Sequence, residues 1–313
     1  MNKEKILQIK NLKQYFKLDK KNMIRAVDDI SFDIYKGEIF GLVGESGSGK
    51  STIGRCIMNI YKPTNGKIIY RDKCITDRKV YKKEKKIINK NMQIIFQDSS
   101  SALNPRMKVG DIIAEPLKIQ KIYKNKEQRH EKVKQVLQLV GLDESSINKY
   151  PSEFSGGQRQ RIQIARAICI DPEFIIADEP IASLDVSIQA QIVNLFKKLK
   201  KETSSTCLFI AHDLSMIKHI SDRIGVMYNG KLVELATANE LYSNPIHPYT
   251  KSLLSSIPIP DPRKTKSRQK IKYSQSIHDY SKEEPEWIEV YKDHYVYLSQ
   301  SEIRLFNNRL NIV

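Results

Sequence analysis

The segment GLVGESGSGKST, residues 41–52, constrains the fold more than any other stretch of the chain. It contains Gly44, four further residues, and then Gly49, Lys50 and Ser51, the spacing GxxxxGK[ST] of a phosphate-binding loop, or P-loop. A strand-like run, EIFGLVG, leads into the loop, and apolar residues at helical spacing follow Lys50. Because a P-loop joins a strand to a helix, the sequence predicts an α/β fold with a parallel sheet.

The P-loop residues have distinct predicted roles. Backbone N–H groups cradle the phosphates, Lys50 neutralises them as a catalytic residue, and the Ser51 hydroxyl ligates Mg²⁺. A simple Gly/Ser-rich turn is the alternative, which the strand–helix context disfavours. The predicted nucleotide-binding residues of this segment are Gly44, Glu45, Ser46, Gly47, Ser48, Gly49, Lys50, Ser51 and Thr52.

Two further apolar runs end in polar side chains. The first, FIIADEP, places Asp178 at the end of a predicted strand, where α/β proteins build their sites, and we expect Asp178 to ligate Mg²⁺. Glu179 follows, and we expect it to activate the water that attacks the γ-phosphate, although a simple turn is the alternative. The second run, TCLFIAH, ends in His212. A lone histidine is usually a core residue, but at the same sheet edge a γ-phosphate contact is predicted.

Strand signals alternate with turns in the first part of the chain, where Asn65-Gly66 predicts a hairpin, as does Asn229-Gly230 further on. They vanish between about residues 98 and 160, which predicts a helical insert. Beyond Tyr242 the composition shifts, and residues 257–270 form a Pro-rich and then basic stretch that is typical of a linker.

The composition is strongly basic, with 53 Lys and Arg against 36 Asp and Glu and a net charge of +17. This charge favours acidic partners, although lysines on solvated faces are the alternative. The N-terminal residues lack a signal peptide, and no run approaches the ~18 to 20 apolar residues of a spanning helix, so we expect any membrane role to act through partners. The four cysteines show no CxxC spacing, which indicates neither a zinc site nor a redox motif.

Five segments stand in one order: GESGSGKST, IIFQD, FSGGQRQR, IIADEPIASLD and IAHD. This set resembles the ATP-binding subunit of ABC transporters, over roughly residues 5 to 260. The resemblance implies a P-loop NTPase core of the RecA-like type, an antiparallel β subdomain, a helical insert and a small C-terminal extension. The division expected is an ATP-binding domain at residues 1–258 and a linker with the extension at residues 259–313.

The same resemblance implies the remaining nucleotide contacts. Gln97 of IIFQD resembles the glutamine that touches Mg²⁺ and the attacking water, and would share the metal with Ser51 and Asp178. Phe16 resembles the aromatic residue that stacks on adenine, with Tyr15 as the alternative. ATP and Mg²⁺ are therefore the expected cofactors.

In this family two cassettes stack head to tail, and each ATP lies between the P-loop of one and the signature glycines of the other. The segment FSGGQRQR resembles the signature, which explains a second glycine-rich helix start in one chain. Phe154 stands where leucine is more usual. Asp185 resembles an aspartate at the contact between the cassettes. The residues expected at the partner's ATP are Ser155, Gly156, Gly157 and Gln158.

Three longer segments, DVSIQAQIVNLFKKL, YSNPIHPYTKSLLSSIPIPDP and SSALNPRMKVGDIIAEPL, resemble the second ATP-binding subunit of bacterial oligopeptide and dipeptide importers, a group that includes nickel importers. The segment IPIPDP favours oligopeptides. The resemblance implies a peripheral protein at the cytoplasmic face of the membrane, paired with a homologous but different ATPase, two permeases and an extracellular substrate-binding protein. Relatives often bind an iron–sulfur cluster through C-terminal cysteines, but all four cysteines here precede residue 208, so no cluster is expected.

An ABC-type ATPase acting on the ribosome or on nucleic acid is the alternative from a different class. The net charge and the lysines of YKKEKKIINK, residues 81–90, motivate it. DNA-repair relatives carry a long coiled coil between the P-loop and the signature, whereas only 105 positions separate Lys50 from Ser155. Translation-factor relatives carry two cassettes in one chain. We therefore expect no nucleic-acid partner and interpret the lysines as a solvated face.

Overall fold

The computed structural model describes residues 3–19, 22–182, 184–257, 271–278, 280 and 283–310. The strands are β1 Lys5–Lys17, β2 Met23–Tyr35, β3 Ile39–Val43, β4 Asn65–Tyr70, β5 Lys73–Cys74, β6 Met92–Ile95, β7 Phe174–Asp178, β8 Thr206–Ala211, β9 Arg223–Tyr228, β10 Lys231–Thr237, β11 Glu286–Tyr291 and β12 His294–Leu298. The helices are α1 Lys50–Ile57, α2 Arg78–Asn91, α3 Ser99–Ala102, α4 Val109–Gln120, α5 Lys126–Leu139, α6 Gly156–Ile168, α7 Val186–Thr203, α8 Leu214–Ile217, α9 Ala238–Ser243, α10 Pro248–Ser255 and α11 Gln300–Leu310.

The larger sheet has the strand order β11-β12-β10-β9-β3-β8-β7-β6. Strands β9, β3, β8, β7 and β6 pair in parallel, and β10, β12 and β11 add an antiparallel edge. Strands β3, β7 and β8 are buried along their whole length, as continuous apolar runs require when both faces of a sheet are covered. The predicted α/β fold is confirmed, and the carboxyl ends of these strands meet at one edge.

The smaller sheet, β2-β1-β4-β5, is antiparallel, as expected of the β subdomain. The hairpin predicted at Asn65-Gly66 is wrong, because β4 begins there and passes close to an irregularity in β1. A Cβ on Gly66 would lie 2.3 Å from the carbonyl oxygen of Asn11. The turn between β4 and β5 is instead Arg71-Asp72, with φ of 46° and 61°. The hairpin at Asn229-Gly230 is confirmed, since it joins β9 to β10.

Residues 98–160 contain helices and short 3₁₀ turns, Glu144–Asn148 and Pro151–Glu153, as the missing strand signals predicted. Helix α4 packs on α6, and their buried apolar side chains join the core that covers one face of the larger sheet. The insert therefore positions the start of α6, which carries the FSGGQRQR segment.

The C-terminal hairpin β11–β12 extends the larger sheet, with β12 beside β10. The carboxylate of Glu234, fully buried on β10, accepts backbone N–H bonds from Ile246 at 2.8 Å and His247 at 3.0 Å, and lies 2.8 Å from Nε2 of His294. Apart from its first residue, Ile257, the predicted linker lies outside the described residues, and the division at residue 258 stays a prediction. Within the described ranges, no helix has the length and apolar character needed to cross a bilayer.

Candidate active site

The P-loop lies between β3 and α1 and packs tightly on neighbouring backbone. A Cβ on Gly44 would lie 2.1 Å from the carbonyl oxygen of Met227, and a Cβ on Gly49 would lie 2.1 Å from that of Ala26. Gly49, with φ of 103°, precedes α1 and makes no side-chain cap. Only glycine fits these positions, and the N–H groups at the start of α1 are left to an anionic ligand.

Lys50 is buried at the centre of this loop. Its Nζ donates to the carbonyl oxygens of Gly44 and Glu45, both at 2.8 Å, and lies 3.3 Å from Oγ of Ser48. Burial lowers the pKa of Lys50, and the nearby carboxylates oppose this shift. A desolvated ammonium group held by neutral oxygens favours an anionic ligand such as phosphate.

Ser51 and Asp178 bring two oxygen ligands together. The Ser51 hydroxyl donates to Oδ1 of Asp178 at 2.7 Å, and Asp178 is only 2% exposed. Burial raises the pKa of Asp178 above its ordinary value, while the Ser51 hydrogen bond and the charges of Arg55 and Lys50 work in the other direction. Mg²⁺ prefers such oxygen ligands, and its charge would compensate the buried carboxylate, so these residues fit the metal.

Glu179 leaves β7 in the left-handed conformation, with φ of 48°, and its N–H donates to the carbonyl oxygen of Ile210 on β8 at 3.0 Å. Its Oε2 accepts from Nε2 of Gln97 at 2.9 Å and lies 3.6 Å from Nδ1 of His212. Side chains that follow β6, β7 and β8 therefore converge. A left-handed glutamate at this point is strain of the kind that clusters at functional sites.

The signature segment lies at the start of α6. Ser155 and Gln158 form a reciprocal cap, in which Ser155 Oγ accepts from Gln158 N–H at 3.3 Å and Gln158 Oε1 accepts from Ser155 N–H at 3.0 Å. Gly157 packs on α7, since a Cβ there would lie 2.7 Å from Cγ2 of Ile188. Asp185 directly precedes α7 and is exposed. The signature thus lies beside the segment that carries Asp185.

The two candidate adenine-stacking residues differ in their surroundings. The Tyr15 hydroxyl donates to Asp28, and its ring faces the guanidinium of Arg25 at 5.7 Å. Phe16 makes an edge-to-face contact with Tyr61, at 5.3 Å between ring centroids, just beyond α1. Phe16 is therefore the better stacking surface, although its role stays a prediction.

Two contacts to the P-loop could not be expected from its own sequence. The N–H of Gly230 donates to the carbonyl oxygen of Ser48 at 3.2 Å, and the N–H of Glu45 donates to the hydroxyl of Tyr249 at 3.0 Å. The segment NPIHPYT marked the chain as typical of a group but indicated no role for its tyrosine. Its only local signal was the His-Pro pair at a helix start.

Because Asp178 is buried, we expect its replacement to increase the stability of the fold while removing activity. Because its pKa is raised in the folded state, Asp178 stabilises the fold only at low pH, and this contribution is lost as pH rises through the folded-state pKa. Asp178→Asn should therefore raise the free energy of unfolding at pH 7 by roughly 0.5 to 2 kcal/mol while abolishing Mg²⁺-dependent turnover. Urea titrations should show the difference shrinking towards pH 4, and a less stable variant at pH 7 would contradict this.

Comparison with known proteins points to the class that this geometry defines, an ABC-type ATPase. The family profile described as ABC transporter matches residues 27–182, and the profile of the oligopeptide/dipeptide transporter C-terminal region matches residues 233–282. The dimeric structure of a bacterial ABC transporter cassette is similar, with a TM-score of 0.67 at 28% identity, covering 74% of this chain and 98% of that one.

Curated relatives narrow the class. The oligopeptide transport ATP-binding protein OppF of Bacillus subtilis is 57% identical, over 97% of this chain and 99% of its own length. The dipeptide transport ATP-binding protein DppF of Lactococcus lactis is 47% identical, over 99% of both chains. The chain therefore belongs to the family of ABC transporter ATP-binding proteins, in the group named for oligopeptide and dipeptide transport. The predicted fold class, the ATPase class and the family resemblance are confirmed.

Proposed function

We propose that this chain binds Mg-ATP and hydrolyses it to power the import of oligopeptides, acting at the cytoplasmic face of the membrane. The observation that carries the proposal is the convergence of Gln97, Glu179 and His212, which follow three neighbouring strands. The charge of Glu179 also acts on the buried Lys50. The family profile at the C-terminal region and the similarity to an oligopeptide transport protein support the substrate class. Dipeptides and nickel are the alternative substrates.

The chemistry follows from these side chains. Lys50 compensates the charge of the β- and γ-phosphates, together with N–H groups of the loop. Ser51, Asp178 and Gln97 would hold Mg²⁺, which when bound neutralises the phosphate oxygens. Glu179 accepts a proton from the attacking water. His212 and Phe16 would contact the γ-phosphate and the adenine ring.

The signature glycines support a site shared between two cassettes. Gly157 is required by this chain's own packing against α7, but a Cβ on Gly156 would meet nothing within 4 Å. The described residues therefore leave open space in front of Gly156, and we propose that the glycine lets a nucleotide bound to a partner approach the backbone closely there. The similar cassette of known structure is a dimer, and we propose a heterodimer with a homologous ATPase subunit.

Because their surroundings differ, alanine at these two glycines should have opposite effects on the stability of the isolated chain. Gly156→Ala should leave its unfolding free energy unchanged or raise it by up to about 1 kcal/mol, because alanine favours a helix over glycine. Turnover by the assembled transporter should nevertheless fall by at least about tenfold, because the new methyl group blocks the approach of the partner's ATP. Gly157→Ala, the matched control, should instead lower the thermal midpoint. Normal turnover with Gly156→Ala would contradict the shared site.

A groove of about 430 Å³ suits contact with a permease. It lies where α2 and β6 face α4 and α6, and its lining includes Tyr81, Pro116 and Ile119, the last 69% exposed. Phe96, the neighbour of Gln97, also lines it. A permease segment bound in this groove would contact the end of β6, where Gln97 donates a hydrogen bond to Glu179. That contact would couple transport to hydrolysis.

The proposal is tested by purification from the native cell. Tagged Glu179→Gln protein is extracted from membranes in mild detergent with Mg-ATP, and the co-purifying proteins are identified. Two permeases and a second ATPase support the importer, and its binding protein can then be screened against peptides of different lengths and nickel. Ribosomes or nucleic acid without permeases would contradict the proposal and direct attention to the exposed lysines of α2.

A further inference from the structure

We propose that Tyr249 is a positioning residue for ATP binding, which holds the first peptide of the P-loop in place and thereby ties the C-terminal extension to the nucleotide site. This inference rests on the proposed nucleotide site and deepens it. We assign Tyr249 no direct contact with the phosphates. It acts through the P-loop backbone.

The turn before α10 aims this tyrosine inward. His247 caps the helix, since its Nδ1 accepts from the N–H of Tyr249 at 3.1 Å, and Pro248 occupies the first helical position. Proline suits that position because its fixed φ is already helical. The Tyr249 side chain is then only 1% exposed, and its hydroxyl accepts from the N–H of Glu45 at 3.0 Å.

One peptide plane links this bond to Lys50. The N–H that donates to Tyr249 and the carbonyl of Gly44 belong to the same peptide group, and that carbonyl accepts from Nζ of Lys50 at 2.8 Å. Because a peptide group is planar, rotating it would break both hydrogen bonds together. Tyr249 therefore fixes the orientation of a carbonyl that holds the phosphate-binding lysine.

Aromatic residues, including Tyr273 of the C-terminal extension, pack against the ring of Tyr249. Its ring packs against Tyr228, at 4.4 Å between centroids, and against Tyr273 at 5.3 Å. Tyr273 also lies beside His278, which stacks on His247 at 5.3 Å. Since Tyr273 and His278 belong to the extension, its residues form part of the wall that supports the P-loop.

The buried carboxylate of Glu234 fixes the same turn from the sheet. It accepts the N–H groups of Ile246 and His247 and lies against His294 of β12. The turn is therefore held by the core strand β10, while the same carboxylate fastens the C-terminal hairpin. The turn before α10 therefore connects the C-terminal extension to the nucleotide site.

The test compares two substitutions that each remove one buried phenol hydroxyl. Tyr249→Phe keeps the ring but removes the acceptor for Glu45, and should weaken Mg-ATP binding by the full-length chain roughly two- to tenfold, the usual effect of one hydrogen bond. Tyr70→Phe removes a hydroxyl that donates to Glu173 at 2.7 Å, outside the nucleotide site, and should leave ATP affinity unchanged. In the assembled transporter, Tyr249→Phe should raise KM for ATP with kcat changed by less than about twofold.

A wrong positioning role for Tyr249 and a wrong nucleotide site would give different binding results. Wild-type ATP affinity in Tyr249→Phe, together with loss of binding in Lys50→Ala, would overturn the positioning role and leave the nucleotide site standing. Equal weakening by Tyr249→Phe and Tyr70→Phe would also overturn it, because the effect would then be one of general stability. Normal ATP binding by Lys50→Ala would show that the proposed nucleotide site is itself wrong.

Discussion

Replacing Lys50 with alanine should lower ATP turnover by at least about 100-fold, comparable to the loss of a charge-stabilising group in other active sites. The ammonium group is buried and held by two carbonyl oxygens, so no solvent cation can replace it in the same place. Without it, the phosphate charge is opposed only by the metal and the backbone N–H groups. Phosphate release by the assembled transporter measures the effect.

Lys198→Ala is a suitable control for that experiment. Lys198 is exposed on α7, where it pairs loosely with Glu202 at 3.9 Å, and an exposed pair of this kind contributes little to stability. The control should therefore retain both its thermal midpoint and its turnover. If Lys50→Ala also retained turnover, the phosphate would have to bind elsewhere and the P-loop assignment would be contradicted.

Glu179→Gln should separate ATP binding from hydrolysis. Glutamine has the same shape as glutamate, so it can accept the hydrogen bond from Gln97 and adopt the same left-handed φ. It cannot take a proton from water. We expect ATP affinity within about threefold of the wild type and turnover reduced by about 100-fold or more, the usual contribution of a general base. The assembled cassettes should then accumulate in the ATP-bound, closed state, which unhydrolysed ATP retained by the complex after gel filtration would reveal.

Glu202→Gln provides the matched control, because it removes an exposed carboxylate that makes only a weak ion pair. Near-normal turnover by Glu179→Gln would show that another group activates the water. Loss of ATP binding would contradict the separation of binding from hydrolysis and would show that Glu179 holds the site together, through Gln97 and β8.

The sequence predicted those parts of the site that lie in local patterns. A P-loop, and carboxylates at the end of an apolar run, can be read within about ten residues, because periodicity and motif spacing act locally. The prediction of a hairpin at Asn65-Gly66 was wrong for a related reason. That pair signals a turn locally, but the close approach of β1 decides where β4 begins.

Other features depend on contacts that no local pattern contains. Glu45 and Tyr249 are 204 residues apart. Glu234 of β10 pairs with Val296 of β12, which lies 62 residues further along the chain. Gly156 and Gly157 are identical letters, and only their neighbours in space distinguish a packing requirement from an open face. The left-handed φ of Glu179 is likewise set by its bond to β8.

If ATP hydrolysis by this chain drives oligopeptide import, uptake of a labelled peptide should depend on the intact P-loop. Cells that lack the chain would be complemented with the wild type or with Lys50→Ala at equal protein levels, and intracellular peptide would be followed over time. We expect uptake with the wild type and none above background with Lys50→Ala. Equal uptake in both, or undiminished uptake without the chain, would contradict it.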